Sequence, residues 1–214
     1  MARRTSKSIV GSVSGKVGPV VFLTVSGQDL VRARPSAKRK EDTPKLAKQK
    51  EIFKAIMFFF KYYTAEVFNL GYQVKKSDHI SPFNAAISYH LLNAVVELDG
   101  KYGLDLTKLK FSKPIRLTQV AWHAELIRIN DKEVQANWEL NPCPLKTTQL
   151  NDKVIIIFYH KNHSTFMHRY ALRSELSYTL ELRNAVIGDE IFCWIFLTSA
   201  DGKLASQTQF LGSV

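Results

Sequence analysis

The 214-residue sequence has two cysteines, no apolar run longer than seven residues, and only three acids in its first fifty positions. Each scarcity excludes something. Cys143, between Pro142 and Pro144, and Cys193, inside an apolar run, lack the paired spacing of a zinc site. A disulfide between them is disfavoured in a reducing compartment, and Cys193 reads as a plain core residue. Apolar runs of six or seven fall far short of the roughly 20 residues that cross a bilayer as a helix. The start, Met1-Ala2-Arg3-Arg4-Thr5-Ser6-Lys7, lacks the apolar stretch of a signal peptide. The expectation is a protein without a membrane span, cytoplasmic or part of an assembled particle.

Catalytic motifs are also missing: there is no Gly-x-Ser-x-Gly elbow and no His-Glu-x-x-His. Gly15-Lys16-Val17-Gly18 lacks the Gly-Lys-Ser/Thr half of a phosphate loop. No enzymatic activity and no cofactor are expected.

What is present begins with charge. The first 50 residues carry 12 Lys and Arg against three acids, Asp29, Glu41 and Asp42, whereas the other 164 hold 18 basic and 16 acidic groups. Nearly all of the net +11 therefore lies ahead of the body of the fold. Within this segment Val17 to Val25 is rich in β-branched and aromatic residues, Ser26-Gly27-Gln28-Asp29 reads as a turn, and Leu30 to Arg34 alternates apolar with cationic residues. A hairpin or an arm that adds onto another sheet is the natural reading. Pro19 has no N–H for a ladder, so it marks an edge or a strand start. Residues 1–42 thus form a basic, β-prone arm and linker ending in Lys38-Arg39-Lys40.

Residues 43–100 read as two helices. Thr43 can cap the first, with Pro44 at its first position. Leu46, Phe53, Phe60 and Val67 recur every seven residues, Ile56, Tyr63 and Leu70 widen the stripe, and Gly71 ends it. From Ile52 to Tyr63 the helix is apolar nearly all round, more than one core needs, so a second surface is expected there, another subunit or the rest of this chain. The second helix is expected from Ser81-Pro82 to about Leu98, with Phe83, Ile87, Leu91, Ala94 and Leu98 on one face and Asp99-Gly100 at its end.

From Leu109 onward short apolar-alternating runs recur about every dozen residues, which predicts an antiparallel β-sandwich, Ig-like or jelly-roll-like, in an α+β, mostly β chain. A weak strand is expected at 109–115. In the next, Val120, Trp122, Ala124 and Leu126 form the apolar face; in the third, Val134, Ala136, Trp138 and Leu140 do so. Val154 to Tyr159 and Ile191 to Leu197 are apolar on both faces and should be central, burying Ile155, Ile157, Trp194 and Phe196. Met167 to Leu182 is one bent strand or two, and Leu204 to Leu211 follows an Asp201-Gly202 turn.

Candidate chemistry is sparse. His160, His163 and His168 flank one hairpin, but no carboxylate or cysteine joins them in sequence, so they read as turn residues and added zinc is expected to leave the melting temperature unchanged. Asp152 and Glu190 precede the two most apolar strands and read as turn acids rather than an acid/base pair. Trp122, Trp138 and Trp194 read as core rather than as a stacking platform.

Several stretches together carry a resemblance: G-S-V-S-G-K-V-G-P-V-V-F, S-G-Q-D-L-V-R-A-R-P, S-P-F-N-A-A, D-K-V-I-I-I-F-Y and S-A-D-G-K-L-A-S-Q-T-Q-F-L-G. The chain resembles a family of uncharacterised proteins of Bacteroidota over nearly its whole length. The resemblance implies a bacterial protein of one architecture and carries over no catalytic residue.

Two functions follow as expectations. The first is a non-enzymatic structural protein that assembles with itself into a homo-oligomer, shell or filament, through Val20, Val21, Phe22, Leu23, Phe58, Phe59 and Tyr62. The alternative is nucleic-acid binding, in which Arg3, Arg4, Lys7, Lys16, Arg32, Arg34, Lys38, Arg39 and Lys40 contact phosphates.

Overall fold

The two most apolar runs pair with each other. In the computed structural model, which describes residues 2–3, 14–25, 28–34, 41–60, 64–75, 78–98, 100–182 and 188–214, they are eight-residue antiparallel neighbours, Lys153–His160 and Ile191–Thr198. The chain divides into two compact units, residues 1–48 and 49–214.

In the first unit, β1 (Ala2–Arg3), β2 (Gly15–Val17), β3 (Val20–Val25) and β4 (Gln28–Ala33) form a sheet in the order β1-β4-β3-β2. Helix α1 (Pro44–Phe60) starts there, its Leu46 N–H reaching Thr43 Oγ1 at 3.4 Å as the cap signal requires.

The second unit continues with α2 (Ala65–Gly71), α3 (Pro82–Asn93) and the hairpin β5 (Val95–Leu98) and β6 (Lys101–Leu104). Then come β7 (Trp122–Asn130), β8 (Glu133–Glu139), β9 (Lys153–His160), β10 (Thr165–Leu172), β11 (Ser177–Glu181), β12 (Ile191–Thr198) and β13 (Gln209–Ser213). They make an antiparallel sheet β10-β9-β12-β13 and an antiparallel sheet β11-β8-β7, neither closed into a barrel.

Side chains alternate across β9 and β12, so each strand feeds two cores. Val154, Ile156 and Phe158 with Cys193, Ile195 and Leu197 pack on Leu126, Val134, Ala136, Trp138 and Leu180 of the smaller sheet. The alternate set, Ile155, Ile157, Trp194 and Phe196, packs on Ile56, Phe60, Val67, Phe68, Ala86 and Ile87 of the helices. All four residues expected to be buried are so, yet they face helices rather than the opposing sheet. Helices and sandwich share one unit in three layers, and the fold is α+β, mostly β.

Several boundaries differ from expectation, each for a physical reason. Three α-helices stand among the described residues where two are expected: α1 spans Pro44–Phe60 and α2 Ala65–Gly71, Thr64 Oγ1 donates to the Phe60 carbonyl at 2.9 Å, and Tyr62 and Tyr63 lie outside the described residues. Helix α3, capped by Ser81 Oγ on the Asn84 N–H, stops at Asn93. The β-branched pair Val95-Val96 and Gly100 at φ +73 favour a hairpin over another helical turn. Residues 109–115 form no strand: Leu109 and Phe111 are buried in an extended segment, with Thr208 Oγ1 accepting from the Phe111 and Ser112 N–H groups. Met167 to Leu182 is two strands, separated by a 3₁₀ turn at Arg173–Glu175 and Leu176 at φ +64. In β7 a bulge between Trp122 and Glu125, with His123 at φ +44, inverts the alternation. Ala121 therefore points inward and Trp122 outward.

Gly71, the last residue of α2, serves close approach rather than a left-handed cap: a Cβ there would meet the Phe111 carbonyl oxygen at 2.1 Å. His90 ties α3 to the same segment. Its Nδ1–H donates to the Ala86 carbonyl at 2.7 Å and its Nε2 accepts from the Lys110 N–H at 3.1 Å, so the ring is held neutral. Burial lowers its pKa from 6.5 to about 4, the Ala86 bond opposing. Because the unfolded chain takes up this proton first as pH falls, the contribution is complete above about 6.5 and declines toward pH 4. The loss amounts to about 3 kcal/mol at most. Urea unfolding at pH 7 and pH 4.5 is expected to show this decline, shallower in His90→Gln.

Candidate assembly surface

In the N-terminal sheet, cross-strand partners share a face. Lys16 pairs with Val21 and Val21 with Arg32; Leu23 pairs with Leu30. Val17 pairs with Val20 and Val20 with Ala33; Phe22 pairs with Val31. One face thus holds Val17, Val20, Phe22, Val31 and Ala33, and among the described residues its only charge, Asp29, accepts a 2.9 Å hydrogen bond from its pair partner Thr24. The other face carries Lys16 and Arg32 beside Val21, Leu23, Val25 and Leu30. The pleat separates the expected interface set: Val20 and Phe22 point one way, Val21 and Leu23 the other. Gly18, at φ +55, and Pro19 turn the chain between β2 and β3, so the Gly15-Lys16-Val17-Gly18 stretch is strand and turn.

None of residues 14–25 and 29–34 is buried, and Val17 is 54% exposed. A sheet with an apolar face ordinarily covers it with another layer.

Of the other expected contact residues, Arg34 is exposed after β4, and Arg3 lies in β1, its backbone paired with Leu30. Arg4, Lys7, Lys38, Arg39, Lys40 and Tyr62 lie outside the described residues. Phe58 is 66% exposed. Phe59 instead packs within its own unit, its ring 5.1 Å from Tyr159 and 5.2 Å from Phe166. The apolar surplus of α1 is therefore partly absorbed by β9 and β10.

The polar candidates regroup. Asp152 and Glu190 precede antiparallel neighbours, so they sit at opposite ends of the β9–β12 pair and form no dyad. Glu190 accepts from Lys161 Nζ at 2.6 Å, which holds its carboxyl below the usual range. Asp152 is buried and lies 3.3 Å from the buried Arg173 guanidinium, which donates to the Gln119 carbonyl at 3.0 Å. Burial pushes the Arg173 pKa down, and Asp152 pulls it back. His160 and His163 converge with Asp189. His168 does not join them; its Nε2 lies 3.7 Å from Glu66. Asp189 was readable from sequence only through the pairing of β9 with β12. Trp138 and Trp194 are buried, whereas Trp122 stacks on His123 at 4.8 Å. Cys143 is exposed and Cys193 buried, both free, and burial pushes the Cys193 thiol up. No helix among the described residues is long and apolar enough to cross a membrane.

A family model, described as a family of unknown function (DUF6266), matches residues 12–212. It spans the arm, the helices and the sandwich together, as the motif resemblance does. No curated protein matches the chain.

Asp152→Asn leaves the Arg173 cation buried without a counter-charge and is expected to cost about 3–5 kcal/mol in chemical denaturation. Adding Arg173→Met should recover much of that loss, because no unpaired charge then remains.

Proposed function

We propose that this chain, which belongs to the DUF6266 family of unknown function across residues 12–212, is a non-enzymatic structural protein that assembles with copies of itself through its N-terminal sheet. The observation that carries the reading is the sheet with an apolar face and no buried residue within 14–25 and 29–34. A second copy suits that face. Two such faces can stack about 10 Å apart with Val17, Phe22 and Val31 interdigitating, and the one charge among the described residues of that face, Asp29, is hydrogen-bonded to Thr24. The opposite face cannot pair with itself in this way, since Lys16 and Arg32 would meet their like.

Phe22→Asp places a charge at the centre of the apolar face, and Val21→Asp places one between two cations on the other. Light scattering after size exclusion is expected to show an oligomer for the wild type and for Val21→Asp, and a monomer of unchanged circular dichroism for Phe22→Asp. A wild-type monomer at high concentration, or a Phe22→Asp oligomer of wild-type size, would overturn the proposal.

A second reading rests on the cationic face. Lys16 and Arg32 occupy one cross-strand row two strands apart, about 10 Å, where both can reach a phosphate backbone while the apolar face is engaged. Changing both to Ala should reduce the slope of log affinity against log salt by about 1 to 2 for nuclease-treated protein on DNA or RNA. An absence of binding at about 50 mM salt would remove this role.

A further inference from the structure

The end of the larger sheet opposite Asp152 carries a second, independent feature. The register sets Ile191 of β12 beside His160, the last residue of β9, so the segment entering β12 passes the β9–β10 hairpin. Three side chains meet there: His160 and Asp189, both buried, and His163, exposed on the hairpin loop. One ligand-type atom from each lies within 4.8 Å of the other two.

From this geometry we infer that the protein binds one divalent transition-metal ion of the zinc class through His160, His163 and Asp189. His160 Nε2 lies 3.1 Å from Asp189 Oδ2, yet this buried nitrogen makes no aligned hydrogen bond among the described residues. A short separation with poor alignment is what two ligands of one ion show: bonds of about 2.0–2.2 Å to a shared metal set neighbouring donors roughly 3 to 3.5 Å apart. The two rings are already close, with centroids at 4.3 Å. Binding at Nε2 puts the imidazole proton on Nδ1, so the long 3.3 Å contact from the His163 N–H to His160 Nδ1 must open.

Neighbouring groups hold the carboxylate in place. Asn162 Nδ2 donates to Asp189 Oδ1, leaving Oδ2 toward His160. The Arg128 guanidinium donates to the Asp189 carbonyl and, at 3.0 Å, to the Val214 carbonyl, which pins the segment. Two imidazoles and one carboxylate favour zinc, cobalt, nickel or iron over magnesium or calcium. The site borders a cleft of about 560 Å³ lined also by Thr165, Met167, Arg169 and Glu181. Three protein donors beside a cleft leave the remaining position to water or a small solute, the pattern of an open rather than a closed zinc site. This departs from the expectation that the hairpin histidines are turn residues; the missing partner is an acid 26 positions beyond His163 rather than His168.

The test uses untagged full-length protein stripped with a chelator and titrated with zinc chloride by calorimetry, and with cobalt chloride by visible absorption. One zinc per chain is expected, with a melting temperature raised by about 5 to 10 °C at hundredfold excess over Kd and no such rise with magnesium. Exposed His163 carries the decisive variant, since changing buried Asp189 can unfold the chain: His163→Ala should weaken zinc at least about tenfold and abolish the cobalt bands, while His168→Ala binds as the wild type does. Substoichiometric zinc, no melting shift, or equal affinity in His163→Ala would overturn the site.

Discussion

The larger unit depends on one constraint: β9 and β12 are apolar on both faces and paired to each other over eight residues, so the sheet they form must be covered twice. An antiparallel sheet commonly leaves one face wet and shows alternation. Here alternation is absent from the two central strands and present in the covering strand β8, where Val134, Ala136 and Trp138 turn inward. The three helices supply the other cover, and aromatic rings fill the interface. Phe60 and Phe111 meet Phe166 at centroid distances of 6.3 and 5.8 Å, Phe111 meets Trp194 at 5.3 Å, and Phe68 packs behind them on Phe60 at 5.1 Å and Phe111 at 5.7 Å.

The same pairing decides where polar chemistry can sit. A strand buried on both faces excludes polar side chains along its length, so they collect at its ends. At one end Asp152 meets Arg173, a closed ion pair that Trp138 Nε1 also joins by donating to the Arg173 carbonyl at 3.0 Å. At the other, His160, His163 and Asp189 adjoin a cleft. Both are juxtapositions of residues far apart in sequence, produced by antiparallel register.

The N-terminal sheet obeys the opposite balance. Its strands are rich in valine, leucine and phenylalanine, but none of residues 14–25 and 29–34 is buried, and Lys16 and Arg32 share one face. Burial of that apolar face is where the proposed self-association would draw its stability.

Much of the body was legible from local pattern alone. The six strands β7 to β12 fall within a few residues of the apolar runs, Ser81-Pro82 opens α3, and Asp201 with Gly202 at φ +69 makes the turn its sequence announces. Periodicity and capping act within a few residues, so the sequence by itself determined these elements and which strands must be central. Tertiary structure decided the rest. The bulge that turns Trp122 outward depends on where β8 pairs, and the switch from helix to strand after Asn93 depends on β6 being there to receive Val95 to Leu98. The pleat, not the sequence run, divides Val20 and Phe22 from Val21 and Leu23, and Phe59 finds its place only because β9 and β10 bring Tyr159 and Phe166 to it. Asp189 rather than His168 completes the histidine cluster for the same reason: a hydrophobic period is a local property, whereas cross-strand register joins residues that no local pattern connects.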